Sequence, residues 1–319
     1  MSNKQKTICI FGGAGFIGHN ITQELARAGF RIKVATRYPE SAYALKPCGD
    51  VGQVVAMKCD YRDEDSIADV IKGSDAVINL VGVLYETRKN KFIRVHSELP
   101  EMIARLSKEQ GVAQFIHVSA LGIAESQSKY AKSKLSGEEA LLEQYCDATV
   151  LRPSVVFGAG DNFFNMFAKM ATMLPALPLI GGGQTKFQPV YVGDIADAII
   201  NILTGKAGDA KGKIYELAGP EVVSFKEIYQ ILLDEINRDR KLMPVPWAIA
   251  KIQGAVLGLL PKPLLTIDQV RSLKFDNVKD KDSLGLNDLA VEPTAMRVIL
   301  PRYLFNYKKG GRFANKKAA

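Results

Sequence analysis

Short apolar runs alternate with longer amphipathic stretches over the first half of the chain. Thr7–Phe11, Arg31–Ala35, Val54–Met57, Ala76–Leu80, Gln114–Val118 and Ala148–Leu151 have the length and β-branched content of buried strands. Between them apolar positions recur at helical spacing, as in Gly15–Ala28 and Tyr130–Gln144. Strands that alternate with helices pair in parallel, because each helix returns the chain to the same edge, and both faces of the sheet are then covered. The pattern therefore predicts an α/β protein with a doubly wound parallel sheet, the Rossmann fold, whose ligands bind beyond the carboxyl ends of the strands. After Arg152-Pro153 the texture changes. Pro175, Pro178 and Pro189 cluster, Gly181-Gly182-Gly183 marks a turn, and helical patterns over 224–240, 246–259 and 293–302 predict a smaller, mostly α C-terminal lobe. The expected organisation is a Rossmann domain over 1–155, the second lobe over 156–306 with a crossing back to the first near 188–205, and a basic tail over 307–319.

The first strand runs into Gly12, Gly15 and Gly18 and then into a helix. A tight turn, a close approach of backbone to pyrophosphate and close helix packing all require residues without a Cβ. The amides of Phe16 and Ile17, at the positive end of the helix dipole, would face the phosphates. An acid at the end of the second strand would select NAD through the ribose hydroxyl, whereas an arginine accommodates the 2′-phosphate of NADP. The sequence there is Val34-Ala35-Thr36-Arg37-Tyr38, so Arg37 favours NADP(H), with NAD(H) as the alternative if Arg37 faces solvent. Asp60 and Tyr61 after the third strand, and Leu80, Val81 and Gly82 after the fourth, would complete the adenine and ribose pocket. Asp60 could instead cap the helix that begins near Asp63.

Composition changes this picture little. The chain has 319 residues, 47% hydrophobic and 24% charged, and carries a net +8. Of that excess, Lys308, Lys309, Arg312, Lys316 and Lys317 supply five charges without an acid among them. The body is near neutral and shows no basic patch with interleaved aromatics, which argues against nucleic acid as a partner. The tail could dock on an anionic membrane or an acidic protein, or be merely solvated. Cys9, Cys48, Cys59 and Cys146 lack metal-ligand spacing and read as reduced thiols of a cytosolic-type compartment, and no metal site is expected. The N-terminus reads straight into a strand with no export signal, and no window has the length of a membrane span. Trp247–Leu260 is apolar enough to be a buried helix or a face packed on a partner or membrane surface.

Tyr130 and Lys134 lie four apart and share one face of a helix that follows the strand ending at Ser119. An ammonium beside a phenol lowers its pKa toward the range of acid–base work. Together with the glycine turn, Asn79-Leu80-Val81-Gly82, His117-Val118-Ser119, the run from Leu151 through Pro153 to Gly158 and the run Gln188–Ala196, these residues resemble the extended short-chain dehydrogenases/reductases. The runs Leu45-Lys46-Pro47, Gly82–Glu86, Asp161–Asn165, Pro178–Gly183 and Leu264–Val270 resemble the atypical branch of that superfamily, which includes a nucleotide-binding accessory subunit of respiratory complex I.

The resemblance implies Tyr130, Lys134 and Ser119 as the catalytic set, Tyr130, Lys134 and Pro153 as further cofactor contacts, and complex I subunits as partners. It also implies departures. The second hydroxyl that follows the strand-end serine in catalytic relatives is replaced by Ala120 and Leu121, and the usual asparagine of the fourth helix by His96. A whole cofactor site beside a reduced catalytic set implies binding with weak or no turnover. The expected role is an NADP(H)-binding accessory or assembly subunit of NADH:ubiquinone oxidoreductase in a bacterial-type cell, peripheral on the cytoplasmic side of the inner membrane. The alternative is a free-standing NADP-dependent oxidoreductase, epimerase or dehydratase. It would use Tyr130 and Lys134, with substrate near Ser154, Phe157, Asn165 and Gln188.

Overall fold

The structure, a computed structural model, describes residues 5–310 except Lys262. The six expected strands form with ends moved by no more than two residues: β1 (Thr7–Phe11), β2 (Arg31–Thr36), β3 (Val54–Lys58), β4 (Ala76–Asn79), β5 (Gln114–Val118) and β6 (Thr149–Pro153). A seventh, β7 (Ile214–Leu217), pairs with β6 and was not expected, because only Tyr215 and Leu217 of its four residues are buried and no apolar run marks it. The sheet is parallel throughout, in the order β7-β6-β5-β4-β1-β2-β3. The chain reverses direction across the sheet between β1 and β4, so a crevice opens beyond their carboxyl ends.

Strand alternation builds a core on each face. Ile8, Ile10, Ile32 and Val34 point to the layer that holds helices α1 (Phe16–Arg27) and α6 (Val192–Thr204). Cys9, Phe11, Ala35 and Val77 point to α2 (Glu64–Ile71), α3 (Leu99–Glu109) and α4 (Lys129–Gln144). A third core, rich in rings, joins Phe157, Phe167, Phe225, Tyr229 and Tyr303 in the C-terminal lobe, around α5 (Phe164–Met173) and α7 (Phe225–Glu235).

Two C-terminal expectations need correction. The pattern over 293–302 is not one helix: Pro301, with no N–H to donate, divides it into Met296–Ile299 and Pro301–Leu304. Trp247–Leu260 is not a buried helix either. Helix α8 (Trp247–Leu257) buries only Ala250 and Gly254 and exposes Ile249, Ile252 and Val256, with Leu259, Leu260 and Leu264 exposed after it. Small residues face the protein and large apolar ones face outward. No helix among the described residues is long and apolar enough to cross a membrane. In the basic tail, Lys308 pairs with Glu235 at 3.0 Å, and residues 311–319 lie outside the described residues.

Candidate functional site

The glycine turn is set by contacts that leave no room for side chains. Gly12 has φ +80°, and a Cβ on it would stand 3.0 Å from the carbonyl carbon of Leu80. A Cβ on Gly18 would stand 2.4 Å from the Gly12 carbonyl oxygen, so the absence of one lets α1 pack on the turn. Gly15 is the N-cap of α1 and has no side chain to bond the first-turn amides, which leaves those of Phe16 and Ile17 to a ligand. The loop after β4 is pinned by Asn79, whose Oδ1 accepts from the Val81 amide at 3.1 Å, so Leu80, Val81 and Gly82 run directly beside the turn.

At the end of β2, Arg37 is exposed. Its guanidinium donates to Asn90 Oδ1 at 3.2 Å and lies 5.7 Å from the centroid of the Tyr61 ring. Tyr61 is anchored in turn by its hydroxyl, which donates to the Ala35 carbonyl at 2.8 Å, and burial raises its pKa. Arg37 and Tyr61 thus meet at one corner. Asp60 is not the cap of α2: that role belongs to Asp63, which accepts from the Asp65 amide at 3.1 Å, while the exposed Asp60 carboxylate accepts from the Arg62 amide.

Across the crevice, α4 carries Tyr130 and Lys134. Lys134 Nζ is buried, donates to the Val118 carbonyl at 3.3 Å and lies about one side-chain contact from Gly82. Burial lowers its pKa to about 8, although Glu138 one turn on opposes that shift. Glu138 is itself held by Arg152 through a bidentate pair, 2.6 Å at its shortest, that ties α4 to β6. Tyr130 is half-buried, and desolvation raises its phenol to about 12. The Ser119 hydroxyl at the end of β5 is buried with no hydrogen-bond partner among the described residues. Pro153 is the last residue of β6, and its carbonyl accepts from the Leu121 amide at 2.9 Å.

His96 is a structural clamp. The Val83 amide donates to its Nε2 at 3.0 Å, so Nδ1 carries the proton and donates to Ser133 Oγ at 2.9 Å, and Ser133 donates to the Tyr130 carbonyl at 2.8 Å. Burial and the nearby Lys134 lower its pKa to about 3, so it stays neutral and its ring packs edge-on against Tyr130, 5.2 Å between centroids. It lies in a π-helical turn, Arg94–Glu98, that presses on α4. A Cβ on Gly137 would stand 1.6 Å from the His96 carbonyl oxygen, a requirement the sequence pattern did not reveal.

The far side of the crevice is closed by the chain itself. Asn277 Oδ1 accepts from Ser154 Oγ at 2.6 Å and its Nδ2 donates to the Leu121 carbonyl at 2.9 Å. Gln188 accepts from the Lys279 amide at 3.1 Å and donates to the Gly219 carbonyl at 2.8 Å. Phe157 is in the ring-rich core, and Asn165 Oδ1 accepts from the Tyr307 hydroxyl at 3.0 Å. Ser154, Phe157 and Gln188 are thus engaged in packing or internal bonds, whereas Asn165 Nδ2 is buried with no hydrogen-bond partner among the described residues. Leu121, in place of a second hydroxyl, is buried.

The residues fit a dinucleotide: the cradle excludes a Cβ at Gly12 and Gly18, and the orphaned Ser119 hydroxyl stands on the same side of the sheet ends as Lys134. The chain belongs to the NAD dependent epimerase/dehydratase family, whose model matches residues 8–218. It is 38% identical over 314 residues to NADH dehydrogenase (ubiquinone) 1 alpha subcomplex subunit 9, mitochondrial, of Arabidopsis thaliana, a match that spans 95% of this chain and 78% of that protein. It is 36% identical over 293 residues to the subunit of the same name from Mus musculus, with 91% and 77% covered. Among solved structures the fold is similar to that of Citrobacter sp. triphenylmethane reductase complexed with NADP(H), with a TM-score of 0.71, 20% identity, and 91% and 97% covered.

Proposed function

We propose that the protein is an NADP(H)-binding accessory or assembly subunit of respiratory NADH:quinone oxidoreductase, which holds its nucleotide with weak or no turnover. The observation that carries this reading is the asymmetry of the crevice: the glycine side leaves the first-turn amides of α1 and the exposed Arg37 available to a ligand, whereas Ser154, Gln188 and Leu121 on the other side are bonded to 277–279. The similarity to alpha subcomplex subunit 9 supports the partner.

In this reading the amides of Phe16 and Ile17 hold the pyrophosphate, Leu80, Val81 and Gly82 lie along the dinucleotide, and Arg37 meets the 2′-phosphate with Tyr61 behind it. Tyr130, Lys134 and Pro153 contact the nicotinamide half. Bound NADP(H) supplies or accepts a hydride. Lys134 donates to the ribose hydroxyls, and Tyr130 keeps its proton at neutral pH because burial holds its pKa at about 12. In this reading the exposed apolar face of α8 and the basic C-terminal residues would be the surface that meets the complex, at the cytoplasmic face of the inner membrane.

Affinity purification from membranes at low salt tests the partner. Recovery of the NADH:quinone oxidoreductase subunits is expected. Recovery of the chain alone from membranes that contain the complex would contradict it. The second reading, a free-standing oxidoreductase, draws on one observation: Tyr130, Lys134 and a buried, unpartnered Ser119 hydroxyl occur together.

A further inference from the structure

The first turn of α4 is completed from 138 residues away. Ser128, the N-cap, accepts from the Ala131 amide at 3.1 Å, which leaves the first two helical amides without an intrahelical partner. The Lys129 amide donates to Asp268 Oδ1 at 2.8 Å and the Tyr130 amide donates to Asp268 Oδ2 at 2.9 Å. One carboxylate thus holds both, and the second belongs to Tyr130, whose ring packs edge-on against Phe92 and His96. Bonds of a carboxylate to backbone amides at a helix start are charge-assisted and gain from the helix dipole.

Asp268 is placed by its own short helix, α9 (Ile267–Ser272). Thr266 and Gln269 close a capping box there, and Val270 is buried with Ala250 and Ile180 in a small cluster beside Trp247. A Cβ on Gly254 of α8 would stand 2.9 Å from the Ile267 amide nitrogen, so α8 rests directly on the backbone next to Asp268. The inner face of α8 at Ala250 and Gly254, the start of α9 and the first turn of α4 therefore form one continuous run of close contacts, with Asp268 as the link to α4.

We propose that Asp268 is a positioning residue of the nucleotide site: it fixes the backbone of Tyr130 and couples occupancy of that site to the docking of the α8–α9 segment. It touches no ligand and acts only through α4. The inference rests on the reading that Tyr130 and Lys134 face bound NADP(H). Coupling of this kind is reciprocal, so nucleotide that favours the ordered α4 turn also favours a docked α9.

The test uses the full-length chain, NADPH as probe, and two variants, Asp268→Ala and Asp268→Asn. The second keeps one acceptor oxygen and the volume of the side chain, so it preserves the fold if the first does not. Loss of a helix cap converts to a rise in NADPH dissociation constant of about 3- to 30-fold for Asp268→Ala and a smaller rise for Asp268→Asn. Amide hydrogen exchange supplies the readout that a merely structural role would not move. NADPH slows exchange over 266–273 in the wild type, and this slowing is absent in Asp268→Ala. A wild type that binds NADPH with no change over 266–273, or variants that keep both wild-type affinity and the NADPH-dependent slowing, would overturn the proposal alone. A wild type that binds no NADPH would overturn the cofactor reading with it.

Discussion

The two banks of the crevice are built on opposite principles. On the β1–β2–β4 bank the chain withholds side chains: Gly12, Gly15 and Gly18 leave backbone amides facing outward, and the long polar groups, Arg37 and Tyr61, stand at the rim. On the β5–β6 bank the chain supplies most of its own partners, since Asn277 bonds Ser154 and Leu121, Lys279 bonds Gln188 and Asp268 bonds the Tyr130 amide, with the Ser119 hydroxyl left open. A buried polar group left for a ligand costs stability until the ligand arrives, whereas one bonded internally does not. On the β5–β6 side the molecule accepts that cost at two described groups, the Ser119 hydroxyl and Asn165 Nδ2.

Substitutions on each bank should break this comparison in different ways. The largest effect is expected for Gly18→Val, whose Cβ meets the Gly12 carbonyl. NADPH affinity measured by fluorescence titration should fall about 100-fold or more, because the turn and the first-turn amides lose their geometry. Asn277→Ala should do the reverse. It orphans the Leu121 carbonyl and leaves the Ser154 hydroxyl only the backbone carbonyl of residue 277 at 3.2 Å, and should lower unfolding free energy in denaturant by about 1–3 kcal/mol, with NADPH affinity little changed. Arg37→Glu should remove a preference for NADPH over NADH of about 10- to 150-fold, the worth of one charge-assisted bond. Equal affinities in the wild type would mean that Arg37 serves only Asn90.

Lys134→Met separates function from stability. The native amine has its pKa lowered to about 8 by burial, below the value of 10.5 that it has when unfolded, so the unfolded chain binds more protons between those values. Stability should therefore rise as the pH goes from about 8 to 10.5 in the wild type and not in the variant. At pH 7 the variant should be more stable by about 1–3 kcal/mol and bind NADPH more weakly. A slope of the same size, in the acid range, comes from histidine. His96 is lowered from 6.5 to about 3, and His117, wholly buried, is lowered as well. Both are neutral when folded, so their contribution is complete above pH 6.5 and is lost as the pH falls below it, for His96 down to about 3. Each adds a slope of about 1.4 kcal/mol per pH unit, and His96→Gln should remove its share from the acid limb of an unfolding profile.

The glycine turn, six strands, Arg37 and the Tyr130–Lys134 pair were legible because each is a local pattern: a period of two or four, or an element followed by its turn. What stayed hidden depends on distant pairing. Asn277 meets Leu121 over 156 residues, and Asp268 meets Tyr130 over 138, with nothing in either short segment to announce the other. The run Leu264–Val270, noticed for its resemblance, turned out to combine a capping box with the cap of another helix. Gly137 was invisible because helix packing, not a turn, forbids its Cβ. Helix α8 was ambiguous for a further reason: Ala250 and Gly254 face inward and the larger residues outward, so apolar content alone could not tell which face is covered.

The central claim, nucleotide held without turnover, is tested most directly by a single-turnover experiment. The purified chain is loaded with NADPH, mixed with a panel of ketone, aldehyde and quinone substrates, and followed by the absorbance of the reduced nicotinamide. The account predicts one NADPH held per chain and an absorbance that persists across the panel. Rapid loss of that absorbance with any carbonyl, abolished by Tyr130→Phe while NADPH binding is retained, would contradict it and establish an oxidoreductase.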